Sequence, residues 1–415
     1  MTDTSTGAGG LARHSMPRLG PVDRELSRRD RPLATGFFID FAGPAPATED
    51  VRRRVLARAT GLPALHVTLS PDGRAWQRTP RVDDVGVHVR HRTGISGVAE
   101  LERLTSHLLR APLPGDGHSA WDMWLLSGYG PQRFRIAFRV DHAQLDGVGA
   151  AHTALGLLAD TPCAGPRLLE PSSPSIAGFV HLARDLTRSL HPARVRHHAA
   201  ACPGGQVRFA HAQLNEEEVR ARADILGVNV NDACLAALAL ALGAWQKRCL
   251  AGMRRRDIPA FVPMSTRQAH ERYAAGNRLA AYRLLLPCTA GTLAEAADQV
   301  RRQTTAARNC RRRESGRAAL NYLPLPLGLA GTRLLSHPTR VPVVASSITF
   351  PEAPVCFGAR PVGASMFCDL RTGSLGYMSF TRVAGTVRCG VAFDARNPGL
   401  QAVPDDWSDI CRSGT

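Results

Sequence analysis

Apolar residues alternate with charged or small residues along positions 133–140, which is typical of a half-buried β-strand. The apolar face of this strand carries Phe134, Ile136, Phe138 and Val140. Residues 148–160 are rich in alanine and leucine and predict a helix. His142 therefore lies on a tight strand-to-helix connection, where a rigid base can hold a side chain in a cleft.

The periodicity of the remaining chain predicts further short strands and helices. Strands are predicted at residues 36–41, 64–69, 207–210, 260–264, 281–286, 342–348, 359–365, 376–382 and 386–393. Helices are predicted at residues 49–59, 97–109, 176–190, 215–227, 293–313 and 323–335. Asn231 and Asp232 are predicted to cap one more apolar helix, which runs to Trp245. Both halves mix strands and helices in similar proportion, so an α+β architecture of two related lobes is expected.

Composition suggests where these lobes begin and end. Residues 1–18 are small and polar, which predicts a flexible tail. Residues 166–205 carry clusters of proline, serine and glycine and predict a linker or crossover. We therefore expect one lobe, with His142, at residues 19–165 and the other at residues 206–415.

Cysteine usage and hydropathy indicate a cytoplasmic protein. The ten cysteines are scattered without a Cys-x-x-Cys pair, which favours reduced thiols over a disulfide framework or a zinc site, and no metal site is predicted. The longest strongly apolar run, residues 233–245, is shorter than the roughly 20 residues that a bilayer requires. The first 18 residues do not resemble a secretory signal.

The chain is strongly basic. It has 52 Lys+Arg against 35 Asp+Glu, a formal net charge of +17, and Lys247 is its single lysine. This excess of arginine is more typical of GC-rich coding than of a selected surface, but the charge still favours anionic partners. Three kinds of anionic partner are compatible with this charge: a nucleotide-bearing acyl donor, an acidic carrier protein or an anionic membrane surface. Nucleic acid is not favoured, because basic and aromatic residues are not interleaved.

His142 and Asp146 form a short His-x-x-x-Asp pattern with two interpretations. An imidazole with a pKa of ~6.5 can accept and return a proton near neutral pH and so act as a general base. Alternatively, the pair is a loop histidine followed by an aspartate that caps a helix.

Five segments in order resemble the CoA-dependent acyltransferase superfamily, which includes chloramphenicol acetyltransferase, peptide-synthetase condensation domains and the bacterial wax ester synthase/diacylglycerol acyltransferase group. Residues 141–147 resemble its His-His-x-x-x-Asp-Gly motif. The other four segments match the order found in the wax ester synthase group. They are Pro112-Leu113-Pro114 with Trp121-Asp122-Met123-Trp124, Asn231-Asp232, Val262-Pro263-Met264-Ser265-Thr266-Arg267, and Gly276-Asn277. The likeness extends from about residue 19 to residue 400.

The resemblance implies two chloramphenicol-acetyltransferase-like lobes, each a mixed sheet with flanking helices, around a central tunnel. It implies that His142 is the catalytic base, that Asp146 braces the loop through an arginine, and that Gly147 allows tight packing. No cofactor is expected to be bound. Acyl-CoA is the expected co-substrate, with an acyl carrier protein as the alternative donor and an alcohol or amine as acceptor.

Two positions depart from the family pattern. Asp141 replaces the first histidine of the motif, whose role in the family is supportive. Residues 346–351 read Ser-Ser-Ile-Thr-Phe-Pro where the family has Ser-Asn-x-Pro-Gly-Pro, so Ser347 replaces an amide. Ser346 and Ser347 are candidate donors to the oxyanion or the acceptor; the alternative is that they are ordinary serines at a strand edge.

Three functions fit this pattern. The leading hypothesis is transfer of an acyl group to an alcohol or amine, as in wax ester or diacylglycerol acylation. The departures at Asp141 and Ser347 favour a condensation-type tailoring acyltransferase of specialised metabolism. A non-catalytic, carrier-protein-binding module is the third, and the retained His142 argues against it.

Two further segments have a structural and a functional interpretation. Residues 308–313 carry four arginines at a helix end and are expected in solvent, or as a docking site for an anionic donor. Residues 323–335 are expected to be buried between the lobes, or to give peripheral contact with a membrane.

Overall fold

A computed structural model of the chain describes residues 19–28, 32–70, 72–79, 84–193, 195, 206–250 and 252–414. The strands are β1 (Ala34–Ala42), β2 (Val67–Leu69), β3 (Trp76–Arg78), β4 (Val89–Arg92), β5 (Trp121–Ser127), β6 (Arg133–Asp141), β7 (Val207–Asn215), β8 (Ile258–Ser265), β9 (Leu279–Leu286), β10 (Val343–Thr349), β11 (Arg360–Cys368), β12 (Gly376–Val383) and β13 (Thr386–Asp394). The helices are α1 (Pro21–Ser27), α2 (Thr48–Ala59), α3 (Val85–His88), α4 (Val98–Leu108), α5 (Gly147–Leu158), α6 (Ile176–Arg188), α7 (Glu216–Ile225), α8 (Val230–Cys249), α9 (Leu293–Asn309), α10 (Arg312–Tyr322), α11 (Leu325–Ser336) and α12 (Val403–Ser413).

The first lobe is built on a five-stranded sheet in the order β11-β1-β6-β5-β4. It is mixed, because β4 runs parallel to β5 and the other neighbours are antiparallel. Aromatic side chains set the register of β1 on β6: Phe37 lies opposite Phe138, and Phe41 stacks on Phe134 with 4.8 Å between ring centroids. The predicted strand that precedes His142 is therefore the centre of this sheet.

The strand β6 is buried on both faces, so the prediction of a half-buried strand was wrong about its charged face. Arg139 is fully buried and donates through Nε to Asp122 Oδ1 at 2.7 Å. Arg135 is likewise buried and donates through Nε to Asp40 Oδ1 at 2.6 Å. Ion pairing to neighbouring strands lets these arginines lie inside the protein.

The second lobe is built on a six-stranded mixed sheet in the order β7-β13-β12-β10-β8-β9. The strands β8, β10 and β12 are parallel to one another, and the remaining pairs are antiparallel. The helix α8 packs between α9 and α12, and most of it is buried in the core of this lobe. The α+β fold with two sheet-containing lobes is confirmed.

Sheet membership does not follow chain order throughout. The strand β11 comes late in the chain but pairs with β1 in the first sheet. It therefore ties the second half of the chain to the first lobe. The lobe boundaries at residues 165 and 205 stay predictions. The predicted tail, residues 1–18, and most of residues 194–205 lie outside the described residues.

Three local predictions were wrong. Residues 63–66 form a 3-10 helix, so only Val67–Leu69 of the strand predicted at 64–69 is extended. The helix predicted at 293–313 breaks at Arg311, whose φ of +50° ends one helix before the next begins. Asn229, and not Asn231 or Asp232, caps α8 by accepting from the main-chain nitrogen of Asp232 at 2.9 Å. The strand β5 and the helix α12 were not predicted as elements.

Within the described ranges, no single helix combines the length and apolar character needed to cross a membrane. The helices α7 and α8 pass that test only when taken together, and they meet at an angle of 88°.

Candidate active site

A cavity of about 180 Å³ lies between the two lobes. Its walls come from β1, β8, β10, β11 and β12, and from the connection between β6 and α5. Five of the predicted site residues line it: His142, Asp146, Gly147, Ser346 and Ser347. The tertiary fold thus brings together residues that lie about 200 positions apart in the chain. The tunnel with two mouths stays a prediction.

The main chain of His142 is held from both sides. Its nitrogen donates to the carbonyl oxygen of Leu33 at 2.8 Å. Its carbonyl oxygen accepts from Asn277 Nδ2 at 2.7 Å. The same amide nitrogen of Asn277 donates to Asp23 Oδ1 at 2.9 Å, so α1 and the Gly276-Asn277 segment both fix this turn. These hydrogen bonds fix the backbone of His142, and its half-buried imidazole lines the cavity.

Asp146 holds the loop to the second lobe. It caps α5 by accepting from the main-chain nitrogen of Gly149 at 2.8 Å. It also accepts from Arg267 Nη2 at 2.6 Å and from the main-chain nitrogen of Arg278 at 2.8 Å. Burial favours the protonated form, but the charge and hydrogen bonds of Arg267 outweigh it, so the pKa of Asp146 is lower than usual. A carboxylate used in this way positions its loop, and its part in catalysis stays a prediction.

Arg267 connects three of the segments that carry the family resemblance. It is fully buried and donates to the carbonyl oxygens of Glu271 at 2.6 Å, Ala274 at 2.8 Å and Gly276 at 2.8 Å, besides Asp146. The segment that ends in Arg267 and the Gly276-Asn277 segment therefore assemble beneath the His142 turn. The geometry supplies an arginine partner for Asp146 that spacing alone did not identify.

Asp141 and Gly147 flank His142 and Asp146 in this turn. Asp141 is buried, and its Oδ1 accepts from the main-chain nitrogen of Ala143 at 3.1 Å. At Gly147 a Cβ atom would lie 2.8 Å from Met366 Sδ, closer than such atoms approach. A side chain at this position would therefore displace the Met366 side chain, so the close approach of β11 to the start of α5 favours glycine.

Three hydroxyl-bearing residues of the second lobe are of interest in the cavity wall: Ser346, Ser347 and Tyr377. The strand β10 pairs with β8 only at Val343 and Val344, so Ser346 and Ser347 lie beyond that pairing, although both still pair with β12. Ser346 is buried and Ser347 is exposed. Tyr377, which the sequence did not single out, lines the same wall. Burial raises the pKa of Tyr377, and a hydrogen bond with the Ser346 side chain offsets only part of this rise. The phenol is therefore neutral at physiological pH and can donate a hydrogen bond.

Among the residues described, no three His, Cys, Asp or Glu side chains are grouped so that they could hold a metal ion. The predicted solvated arginines of residues 308–313 include one clear exception: Arg312 is only 1% exposed. The paired histidines at positions 197 and 198 lie outside the described residues.

Comparison with known proteins gives consistent results. The family model for the wax ester synthase/diacylglycerol acyltransferase catalytic domain matches residues 24–204. Tgs4 of Mycobacterium tuberculosis, named as a probable diacylglycerol O-acyltransferase, is 28% identical over 160 residues, which are 35% of this chain and 33% of Tgs4. The chain thus matches about a third of the length of that relative. Rv3087 of the same organism, also named as a diacylglycerol O-acyltransferase, is 26% identical over 317 residues, 63% of this chain and 66% of Rv3087.

Solved structures show the same fold. The wax ester synthase/diacylglycerol acyltransferase of Marinobacter aquaeolei VT8 superposes with a TM-score of 0.65 at 20% identity, covering 95% of this chain and 98% of that one. The first condensation domain of the CDA synthetase superposes with a TM-score of 0.64 at 16% identity, covering 96% and 97%. The chain is therefore similar to the wax ester synthase/diacylglycerol acyltransferase catalytic domain over residues 24–204, and it has the fold of these two solved structures.

Proposed function

We propose that this protein is an acyltransferase that moves an acyl group from a thioester to an alcohol or amine, with His142 as general base. One observation carries the proposal. A turn whose main chain is hydrogen-bonded on both sides holds a half-buried imidazole at the wall of a largely apolar cavity between the lobes. The family match to the catalytic domain that contains this turn supports it.

The proposed reaction needs one base and no acyl-enzyme intermediate. A ring nitrogen of His142 takes the proton of the acceptor O–H or N–H while the acceptor attacks the thioester carbon. The tetrahedral intermediate collapses with cleavage of the C–S bond, and the departing thiolate takes the proton from the imidazolium. A thiol departs readily, so direct attack suffices.

The developing oxyanion requires a donor that is already oriented. We assign this part to the hydroxyl groups of Ser346 and Tyr377, because both are buried at the cavity wall. Ser347 is exposed and is the candidate for contact with the acceptor. Asp146 is a positioning residue in this scheme, because its oxygens accept from Arg267, Arg278 and Gly149.

The donor in this proposal is acyl-CoA, with a carrier-protein thioester as the alternative. Solved relatives include a starter condensation domain of rhizomide synthetase in complex with C8-CoA, at 13% identity and a TM-score of 0.62. The net charge of +17 would favour the approach of either anionic donor.

Peripheral contact with a membrane is a further part of the proposal. Tyr322, Leu323 and Leu327, at the junction of α10 and α11, are 86%, 46% and 59% exposed. Exposed apolar side chains of this size are suited to a lipid surface. Gly328 and Leu329 of the same segment are buried and are not free for such contact.

Replacement of the base tests the proposal. In His142→Ala, release of free thiol from acyl-CoA in the presence of an alcohol or amine acceptor is expected to fall ~10²–10⁴-fold. His107→Ala, an exposed histidine on α4, is the matched control and should keep its activity. Mass spectrometry of the product identifies the ester or amide. Unchanged turnover in His142→Ala would exclude His142 as the base, and an amide product would favour the condensation-type reaction.

A further inference from the structure

A second cavity of about 100 Å³, which we name the Arg312 cavity, adjoins the first. Its walls come mainly from α6, α10, α11 and β9, and they are almost entirely apolar. Val22, Phe261, Leu279 and Thr332 line both cavities. A substrate held at His142 therefore has an apolar compartment next to it. Its size suits a short hydrocarbon segment, since a cavity of about 150 Å³ accommodates benzene.

Arg312 is the one charged group among the described residues that line this compartment. Its side chain is 1% exposed, and within the described residues its Nε and Nη1 have no hydrogen-bond partner. The nearest carboxylate oxygen, Asp185 Oδ2, lies 3.6 Å from Nε, which is beyond hydrogen-bonding distance. Buried guanidinium groups normally satisfy their donors, so these two N–H groups favour an acceptor supplied by a ligand.

The charges around Arg312 do not balance. Asp185 is fully buried and lies near both Arg312 and Arg283, whose main-chain nitrogen donates to Asp185 Oδ2 at 3.2 Å. The His181 Nδ1 atom lies 3.5 Å from the same oxygen. Arg312 and Arg283 thus lie near a single carboxylate, whose Oδ1 also has no hydrogen-bond partner among the described residues. Asp185 leaves Nε and Nη1 of Arg312 unsatisfied, so a second acceptor is needed.

We propose that the Arg312 cavity binds a carboxylate carried at the end of a short apolar body. The proposal rests on the acyl transfer proposed above and defines its substrate class. The chain that extends from the reacting carbon would have a terminal carboxylate, which Arg312 recognises. The carboxylate could belong to the acyl donor or to the acceptor.

Direct binding tests this proposal independently of turnover. In isothermal titration calorimetry, hexanoate is expected to bind the protein about 10- to 100-fold more tightly than hexan-1-ol, the range for a hydrogen bond to a charged group. Arg312→Met should lose this preference, and Arg313→Met, the half-exposed neighbour, should keep it. His142→Ala should bind hexanoate as the unmodified protein does, which separates this proposal from the catalytic one.

A second variant guards against misfolding of Arg312→Met, which removes a positive charge 3.6 Å from the buried Asp185 carboxylate. Ala319→Leu fills the cavity while Arg312 remains, and it should also abolish hexanoate binding. Equal binding of hexanoate and hexan-1-ol, or undiminished hexanoate binding by Ala319→Leu, would overturn the proposal.

Turnover then distinguishes the two sources of the carboxylate. If it belongs to the donor, adipoyl-CoA should exceed hexanoyl-CoA in kcat/KM with one acceptor. If it belongs to the acceptor, 6-hydroxyhexanoate should exceed hexan-1-ol with one donor. Preference for the uncharged member of both pairs would contradict the assignment.

Discussion

At the scale of single residues, the candidate site depends on charged groups that are buried and paired. Asp146 and Arg267 are 4% and 0% exposed, and each makes several further hydrogen bonds. Removing one member of such a pair leaves the other buried without its counter-charge, which is far more costly than losing a surface pair. The turn that carries His142 is therefore sensitive to residues that do not touch a substrate.

Asp146→Asn tests this sensitivity. Asparagine still caps α5, but the negative charge beside Arg267 is lost, so we expect the free energy of unfolding to fall by about 3 kcal/mol. In acyl transfer, kcat should fall while KM for the donor changes little, because the substituted group positions the base. Asp298→Asn, a partly exposed aspartate on α9, is the control for both measurements. Full kcat in a destabilised Asp146→Asn protein would show that the brace serves folding alone.

His152 predicts a dependence of stability on pH. Burial lowers its pKa to about 4, against an ordinary value of about 6.5 in the unfolded chain. The folded protein keeps this histidine neutral, and the unfolded chain binds a proton below pH 6.5. The stability present above pH 6.5 is therefore lost as the pH falls toward 4, by up to about 2 kcal/mol at pH 5.

Urea unfolding at pH 7 and pH 5 measures this loss. His152→Gln should show a smaller decrease between the two values than the unmodified protein. His270→Gln, an exposed histidine, should show the same decrease as the unmodified protein. Identical decreases in all three proteins would rule out the contribution of His152.

At the scale of elements, hydrophobic periodicity located most strands and helices, and their ends were less well predicted. The helix α8 illustrates why. Asn229, Asn231 and Asp232 are all good capping residues, so composition could not choose among them. The backbone turn decides: Asn229 has extended φ and ψ angles of −81° and 163°, and its side chain reaches back to the Asp232 nitrogen.

Substitution at these two asparagines tests the assignment. Asn229→Ala is expected to lower the free energy of unfolding by about 1 kcal/mol, because it removes the acceptor for the first turn of α8. Asn231→Ala should change it by less than about 0.5 kcal/mol. Chemical denaturation of both variants measures the difference, and a larger effect at Asn231 would contradict the cap seen here.

At the scale of the whole molecule, the two sheets are joined by β11 and by a buried group of charges. Asp40 on β1 accepts from Arg135 of the same sheet at 2.6 Å and from Arg388 on β13 of the other sheet at 2.6 Å. Burial would raise the pKa of Asp40, but the two arginines hold it well below its usual range. The carboxylate therefore stays charged and links the lobes.

Asp40→Asn should weaken this link. Two guanidinium groups would remain buried without their shared charge, so the free energy of unfolding is expected to fall by about 3–5 kcal/mol. Asp50→Asn, whose partner Arg53 is exposed, should change it by about 1 kcal/mol or less. Thermal and urea unfolding measure both. A similar small effect in the two variants would show that the lobes are held by apolar packing alone.

The sequence by itself determined the α+β class, the strand and helix on either side of His142, and the order of five family segments. These features are local, since they depend on periodicity and on residue types at short spacing. It did not reveal that both faces of β6 are buried, because Arg135 and Arg139 read as solvent-facing until their partners on other strands are known. The buried Arg312 and the phenol of Tyr377 were missed for the same reason.

Only the tertiary structure decided which distant groups meet. Arg267 lies 121 positions from Asp146, and Asn277 lies 135 positions from His142, yet their contacts fix the candidate base. Neither pairing follows from spacing, because burial, charge compensation and hydrogen-bond geometry select partners after the chain has folded. The sequence alone identified the candidate histidine, whereas the groups that hold it in place could be identified only from the tertiary structure.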